Sequence, residues 1–289
     1  MKGSFPSYYT LRSIKEGTKT PMRKITFLFI SILITLAINL TSATAKDFQP
    51  SGERIGQDEG GNAIYQINSN GIKIGYKLIG SGEPIVMIVG LGNTMDHWPK
   101  EVIDALSKKY QLIVLDNRGM GYTTANDVTF TYKLFADDVI GLLDTLNVEK
   151  THVLGFSMGS TITQELLLEY PQRFNKAIIY ATSTDGSNVA AAWKSKAPIG
   201  ESSMNSIILR QIEATTHWKT PLEKLPSIKN QVMFIVGTSD SVVGVESSKT
   251  LASAIPGAWL VQFTNRSHGL MIEVPTDFSK IVLDFLEIN

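Results

Sequence analysis

His152-Val153-Leu154-Gly155-Phe156-Ser157-Met158-Gly159-Ser160-Thr161-Ile162-Thr163-Gln164-Glu165-Leu166-Leu167-Leu168 carries the sharpest local signal in the chain. It opens as an apolar strand, turns through Gly-x-Ser-x-Gly and leaves as a helix. A strand–turn–helix of this kind needs glycines flanking the turn residue, because side chains there run into the neighbouring strand and helix. The same geometry forces Ser157 into a strained turn and presents its hydroxyl at the C-terminal edge of a sheet, above a helix N-terminus. The plain alternative is an ordinary tight turn that happens to contain a serine.

Working outward from this turn, strands and helices alternate. Two short strands, near Ala63–Ile67 and Ile72–Ile79, flank the turn signal Asn68-Ser69-Asn70-Gly71 and read as a hairpin. Ile85–Val89 is a continuous apolar run, suited to a strand buried on both faces of a parallel sheet. Leu112–Leu115, Val153–Phe156, Ala177–Ala181, Val232–Val236 and Trp259–Phe263 are further buried-strand candidates. Helices are expected over Lys100–Lys109, Thr131–Leu146, Ser160–Glu169, Val245–Ala254 and Phe278–Leu286. Within the second, Phe135, Val139, Leu142 and Leu146 fall on one face. The rhythm argues an α/β fold, a mostly parallel doubly wound sheet of about eight strands with an N-terminal antiparallel hairpin. It breaks once, from Thr184 to about 226, where Trp193, Trp218 and several prolines stand in place of the next strand. That stretch reads as a short helical lid insertion.

Composition bounds the rest. The 289 residues hold 27 Lys+Arg, 27 Asp+Glu and no cysteine, with 43% hydrophobic and 19% charged residues, which excludes a disordered chain. Six of the bases (Lys2, Arg12, Lys15, Lys19, Arg23, Lys24) and one acid, Glu16, lie in the first 45 residues, so the remainder carries 21 bases against 26 acids. That body is mildly acidic, unlike a nucleic-acid binder. Without cysteine there is no disulfide scaffold, thiol nucleophile or thiolate metal site. No metal is expected, since H-E-x-x-H is absent and histidines are few. Nor is a cofactor expected: Gly90-Leu91-Gly92-Asn93-Thr94-Met95 lacks the third glycine of a dinucleotide loop, and Gly80-Ser81-Gly82-Glu83-Pro84 has no following helix.

Met22-Arg23-Lys24, the uncharged run Ile25–Leu40 and the small residues Ala43 and Ala45 describe a signal peptide at about 22–45 cleaved before Lys46. The run has 16 residues, and a spanning helix needs about 20. An uncleaved membrane anchor is the alternative. Met22 fits as initiator, residues 1–21 being polar and patternless. Residues 46–289 are then one domain, expected to be exported, of unknown oligomeric state.

A serine hydroxyl attacks only if a base takes its proton and an acid orients the base. Of the four histidines, His152 would be buried in the strand before the turn, His97 sits beside Trp98 in an early loop, and His217 lies in the insertion. His268, in Asn265-Arg266-Ser267-His268-Gly269 after the last strand, is placed to be the base. Asp240 follows the strand Val232–Val236 and is the favoured acid, with Asp185 as the alternative and helix capping as its plain reading. Asp116, ahead of the serine in the chain, has the setting of a turn-holding residue. Charge that builds on a substrate oxygen needs donors, and backbone N–H groups are the nearest. The N–H of Met158 is one; the other is expected from Leu91, with Gly92 as the near alternative.

These residues together resemble the α/β-hydrolase superfamily over about Ile72 to Leu286, the insertion excepted. The landmarks appear in that family's order: Val-Gly-Leu-Gly-Asn at 89–93 with Trp98 behind it, Asp116-Asn117-Arg118-Gly119-Met120-Gly121, the serine turn, Gly237-Thr238-Ser239-Asp240, and Ser267-His268-Gly269. Three positions depart from the pattern: Val89 where many members have His, Thr123 where Ser is frequent, and Ser160 where a second Gly is frequent. The resemblance implies a serine hydrolase acting on a small-molecule acyl substrate, a carboxylic ester or lactone, through Ser157, His268 and Asp240. Ser157 argues against the members with an aspartate nucleophile, the haloalkane dehalogenases and epoxide hydrolases. Cofactor-free haloperoxidases share turns of the Gly-Phe-Ser-Met-Gly kind, so perhydrolysis or acyl transfer is the runner-up. A non-catalytic binding protein on the same fold is a third reading. Trp98, Phe156, Trp193 and Trp218 are the expected apolar pocket.

Overall fold

The computed structural model describes residues 47–196 and 206–288. The expected export signal lies outside the described residues. Among those described, no helix is long and apolar enough to cross a membrane.

Among the described residues nine strands form one sheet: β1 (Glu53–Gln57), β2 (Ala63–Ser69), β3 (Ile72–Ile79), β4 (Glu83–Ile88), β5 (Tyr110–Leu115), β6 (Thr151–Phe156), β7 (Phe174–Tyr180), β8 (Gln231–Gly237) and β9 (Trp259–Phe263), in the order β1-β2-β3-β5-β4-β6-β7-β8-β9. The pairs from β1 to β5 through β3 are antiparallel; the rest are parallel. The expected hairpin is β2–β3. Ser69 faces Ile72 across a two-residue loop in which Asn70 and Gly71 both have positive φ, the geometry that matches strand twist. The strand beyond the eight expected runs is β1. Its sequence offers one apolar residue, Ile55, and its register shifts between Arg54 and Gly56; as an exposed edge strand it needs no hydrophobic run.

Side chains of the central strands alternate between two cores. Ile85 and Met87 of β4, Leu112 and Val114 of β5, and Leu154 and Phe156 of β6 face one core with Val102 and Leu106 of α1 (Lys100–Leu106) and Phe278 and Val282 of the last helix (Pro275–Glu287). Val86, Ile88, Ile113, Leu115 and Val153 face the other, with α2 (Tyr132–Thr145), α3 (Met158–Glu169) and α6 (Glu246–Ala254). This two-faced burial is why the strands read as unbroken apolar runs. In α2 the predicted stripe Phe135, Val139 and Leu142 is buried, and Thr131 caps the helix by accepting the Leu134 N–H at 3.0 Å, a contact worth about 1 kcal/mol.

The insertion between β7 and β8 carries α4 (Gly186–Lys196) and α5 (Ser206–Thr216), then a 3₁₀ turn at Leu222–Ser227. The site follows from connectivity. The chain leaves β4 toward β5 and returns past β4 to β6, so sheet order reverses at the β4–β6 boundary. Ligand crevices in such sheets open at the C-terminal ends of the strands at this reversal. The loop after β4 holds Leu91, and the turn after β6 holds Ser157.

Candidate active site

Ser157 sits between β6 and α3 at φ 53° and ψ −116°, a conformation that side-chain-bearing residues rarely adopt. Its flanking glycines explain how the turn closes. A Cβ on Gly155 would lie 2.3 Å from the Gly159 carbonyl oxygen, and one on Gly159 would lie 2.1 Å from that of Ile88. Neighbouring β7 holds the turn, since the Ser157 N–H donates to the Tyr180 carbonyl at 3.0 Å. Ser160, where the resemblance leads one to look for glycine, is fully buried and donates its hydroxyl back to the Ser157 carbonyl, so its extra atoms brace the turn. Thr123 is accommodated too: its hydroxyl donates to the Asp116 carbonyl and accepts the Gly75 N–H, both at 2.8 Å.

The loops after β8 and β9 are laced together. Thr238 N–H donates to Phe263, Ser239 N–H to Arg266, and Asn265 N–H to the Thr238 hydroxyl. That lacing sets Asp240 against His268. The His268 Nδ1 lies 2.8 Å from Asp240 Oδ2, and its Nε2 lies 3.0 Å from Ser157 Oγ. The other Asp240 oxygen, Oδ1, accepts the N–H groups of Val242 at 2.9 Å and Val243 at 3.1 Å. Burial works to raise the Asp240 carboxyl, but the hydrogen bond and charge of His268 and the two amides outweigh it and hold the group below its ordinary value. Asp185, the alternative acid, instead accepts the N–H and hydroxyl of Ser187 and pairs with Lys219.

Leu91, Ser157 and Met158 line one small cavity with Tyr132, Thr161, Ser183, Gly186, Val189, Thr215 and Val243. Its free space is about 10 Å³, room for about one water molecule. No acceptor among the described residues takes the N–H of Leu91 or Met158. Gly92, the alternative, has its N–H spent on Gln211 Oε1 at 2.9 Å. Two unspent donors therefore flank the serine, one at the N-terminus of α3. The wall opposite is polar: the Tyr132 hydroxyl lies 3.2 Å from Thr215 Oγ1, and burial, partly offset by bonds from Thr215 and Thr161, pushes Tyr132 up to about 12.

Three of the four aromatic residues expected to form a pocket, Trp98, Phe156 and Trp218, do not line this cavity. Phe156 points to the opposite side of the sheet, its ring 5.1 Å from the His268 ring and 4.9 Å from Tyr180. Alternation along β6 carries it to the α1 core, where it supports the histidine from behind. Trp98 is buried in the same core, edge-on to Phe156 at 6.4 Å. Trp218 packs on Tyr132 at 5.0 Å, one layer behind the cavity wall. Trp193 lies on α4, and its side chain is outside the described residues. Tyr132, Thr161, Ser183 and Thr215 were not read from the sequence as site residues. The legible trace was the Gly-x-Ser-x-Gly helix for Thr161; for Thr215 it was a polar side chain on the apolar stripe of α5. His152 is buried with its pKa lowered by burial, and His217 is exposed beside Glu213. His97 stacks on Phe156 at 5.6 Å and is lowered by burial and by nearby His268.

Comparison with known proteins places this geometry among relatives. A family model described as the alpha/beta hydrolase fold matches residues 83–206. A Mycobacterium tuberculosis protein with the provisional name non-heme bromoperoxidase BpoC is 37% identical over 112 residues, 38% of this chain. The matched stretch spans 42% of that relative's length. The 2-hydroxymuconate semialdehyde hydrolase of Pseudomonas sp. CF600 is 23% identical over 76% of this chain and 93% of its own. Among solved structures, the enol-lactonase of Burkholderia xenovorans LB400 superposes with a TM-score of 0.64 at 23% identity, covering 77% of this chain and 100% of the lactonase. The matched model runs from the strand before the Leu91 loop, through the serine turn, into the insertion; over that stretch the sequence is similar to the α/β-hydrolase family, and the enol-lactonase shares the fold.

Proposed function

We propose that this protein is an exported serine hydrolase that cleaves a small carboxylic ester, lactone or related acyl substrate. The observation that carries the reading is the unbroken run Ser157 Oγ–His268 Nε2–Asp240, ending beside two unspent N–H donors. In this reading Ser157 Oγ bonds to the carbonyl carbon while its proton passes to His268 Nε2. The carbonyl oxygen becomes an oxyanion between the Leu91 and Met158 N–H groups. His268 then gives the proton to the leaving alcohol oxygen as the ester bond breaks. Water attacks the acyl-serine, losing a proton to His268, and the acid departs as Ser157 recovers its hydrogen. Asp240 keeps Nδ1 protonated and stabilises the imidazolium.

The test is intact-mass analysis after fluorophosphonate treatment, with Ser157→Ala alongside. A single adduct on the parent, absent from a folded Ser157→Ala, is expected; no adduct on the folded parent overturns the reading in favour of a binding protein. The name of the mycobacterial relative favours a second reading, in which hydrogen peroxide replaces water in the second step and yields a peracid. Product partition between acid and peracid separates the two. Export rests on the segment at about 22–45, and N-terminal sequencing of secreted protein beginning at Lys46 tests it.

A further inference from the structure

Gln211 stands out among buried groups that the reaction above does not use. It lies on α5, in the insertion, and is fully buried. Its Oε1 accepts the Gly92 N–H at 2.9 Å. Its Nε2 is buried with no acceptor among the described residues. The Gly92 contact fixes the amide's orientation, because only the oxygen can accept an N–H. A side chain present for packing alone would do better as methionine or leucine, which strand no amide proton. The oxygen is what an apolar side chain cannot supply.

The contact falls at a decisive place. Gly92 follows Leu91, and its φ of 72° makes the loop sharp. Gly90 is on the other side, its Cβ position 3.1 Å from Ser157 Cβ. Asn93 N–H closes the loop onto the Gly90 carbonyl at 3.3 Å. Engaging Gly92 N–H from α5 therefore fixes the peptide plane next to the Leu91 N–H and leaves the Leu91 N–H unspent. One turn on, Thr215 Oγ1 donates to the Gln211 carbonyl and meets Tyr132, so the same stretch of α5 also builds the cavity wall.

We infer that Gln211 is a positioning residue for the oxyanion hole: the inserted helix α5 sets the donor geometry of the β4 loop through the Gln211–Gly92 hydrogen bond. The inference rests on the serine-hydrolase reading but has an independent readout. In the untreated full-length protein, hydrogen exchange followed residue by residue should find the Gly92 N–H protected and the Leu91 N–H less so. Phosphonylation should then protect Leu91 and Met158 while leaving Gly92 as it was. Gln211→Met should lose Gly92 protection, retain its melting temperature to within a few degrees and lower kcat by about 10- to 100-fold, as an ångström-scale misplacement does, with KM little changed. Thr216→Val, on the same helix but outside the cavity, is the control for general effects on α5. A Gly92 N–H unprotected in the parent overturns the inference even if Gln211→Met fails to fold. So does a folded Gln211→Met with unaltered kcat, or one whose loss lies wholly in KM. A parent that takes no fluorophosphonate but protects Gly92 defeats the hydrolase reading and leaves the contact standing.

Discussion

Asp116 and Asp240 occupy equivalent corners of the molecule and end in opposite electrostatic states. Each follows the C-terminal end of a central strand, β5 or β8, and each is buried. Each accepts two backbone N–H groups: Asp116 from Met95 at 2.7 Å and Tyr122 at 2.8 Å, Asp240 from Val242 and Val243. Burial raises both carboxyls. At Asp116 the two amides fall short of compensating, and the group is pushed up to about 6. At Asp240 the same kind of amide pair is joined by His268, and the balance turns downward. Two amides hold a loop; an imidazole in addition makes a carboxylate that remains charged and can stabilise a neighbouring cation.

The largest expected effect comes from breaking the Asp240 side of this pair. In Asp240→Asn the Val242 and Val243 N–H groups keep the amide oxygen, which turns the amide NH₂ toward His268 Nδ1. Nδ1 becomes the acceptor, the proton moves to Nε2, and Nε2 can no longer take the Ser157 proton. Turnover should fall by about 10⁴-fold with the fold retained. A loss of less than tenfold in steady-state assays would move the orienting role away from Asp240. Asp116→Ala should show the converse. It strands the N–H groups of Met95 and Tyr122 in the interior and should cost about 2–4 kcal/mol of stability. Urea melts should show this as a lowered midpoint at unchanged slope, with a far smaller change in kcat than for Asp240→Asn.

Both aspartates were legible in sequence because each stands at the C-terminal end of a buried apolar strand, Asp116 directly after β5 and Asp240 three residues past β8. The central strands were legible because both sheet faces are covered there, as in the run Ile85–Val89, and β2 and β3 because the turn signal Asn68-Ser69-Asn70-Gly71 stands between them. β1 was not, since an edge strand satisfies itself with water. The serine turn also announced itself, through glycines that the close approach of Ile88 and Gly159 requires. Pocket composition did not. Phe156 and Trp98 are large and apolar, yet strand alternation sends Phe156 into the α1 core, where Trp98 packs edge-on to it. The walls of the cavity beside Ser157, among them Tyr132, Thr161 and Thr215, come from helices whose register against the sheet is a tertiary matter. Gln211 left one trace, an amide on the apolar stripe between Ile208 and Ile212, and only the fold shows that Gly92 faces it.

The smallest effect sharpens the comparison most directly, because the two carboxyls must respond to pH with opposite sign. Between the ordinary aspartate value of about 3.9 and its raised value, folded Asp116 keeps a proton that the unfolded chain has released. Unfolding therefore releases protons in this window, and the Asp116 contribution to stability falls as pH rises from about 4 to about 6. Asp240 titrates the other way: with its folded value depressed, its contribution is complete above about 4 and is lost as pH falls below that. Urea melts of the parent, Asp116→Asn and Asp240→Asn at half-unit steps would separate the two. The stability gap between parent and Asp116→Asn should narrow by about 1–3 kcal/mol from pH 4 to pH 7. The gap for Asp240→Asn should narrow in solution more acid than about 4, where the parent carboxylate takes its proton. An Asp116 gap that stays flat from pH 4 to 7 would mean that the Met95 and Tyr122 amides balance burial unaided, and the contrast would then rest on catalysis alone.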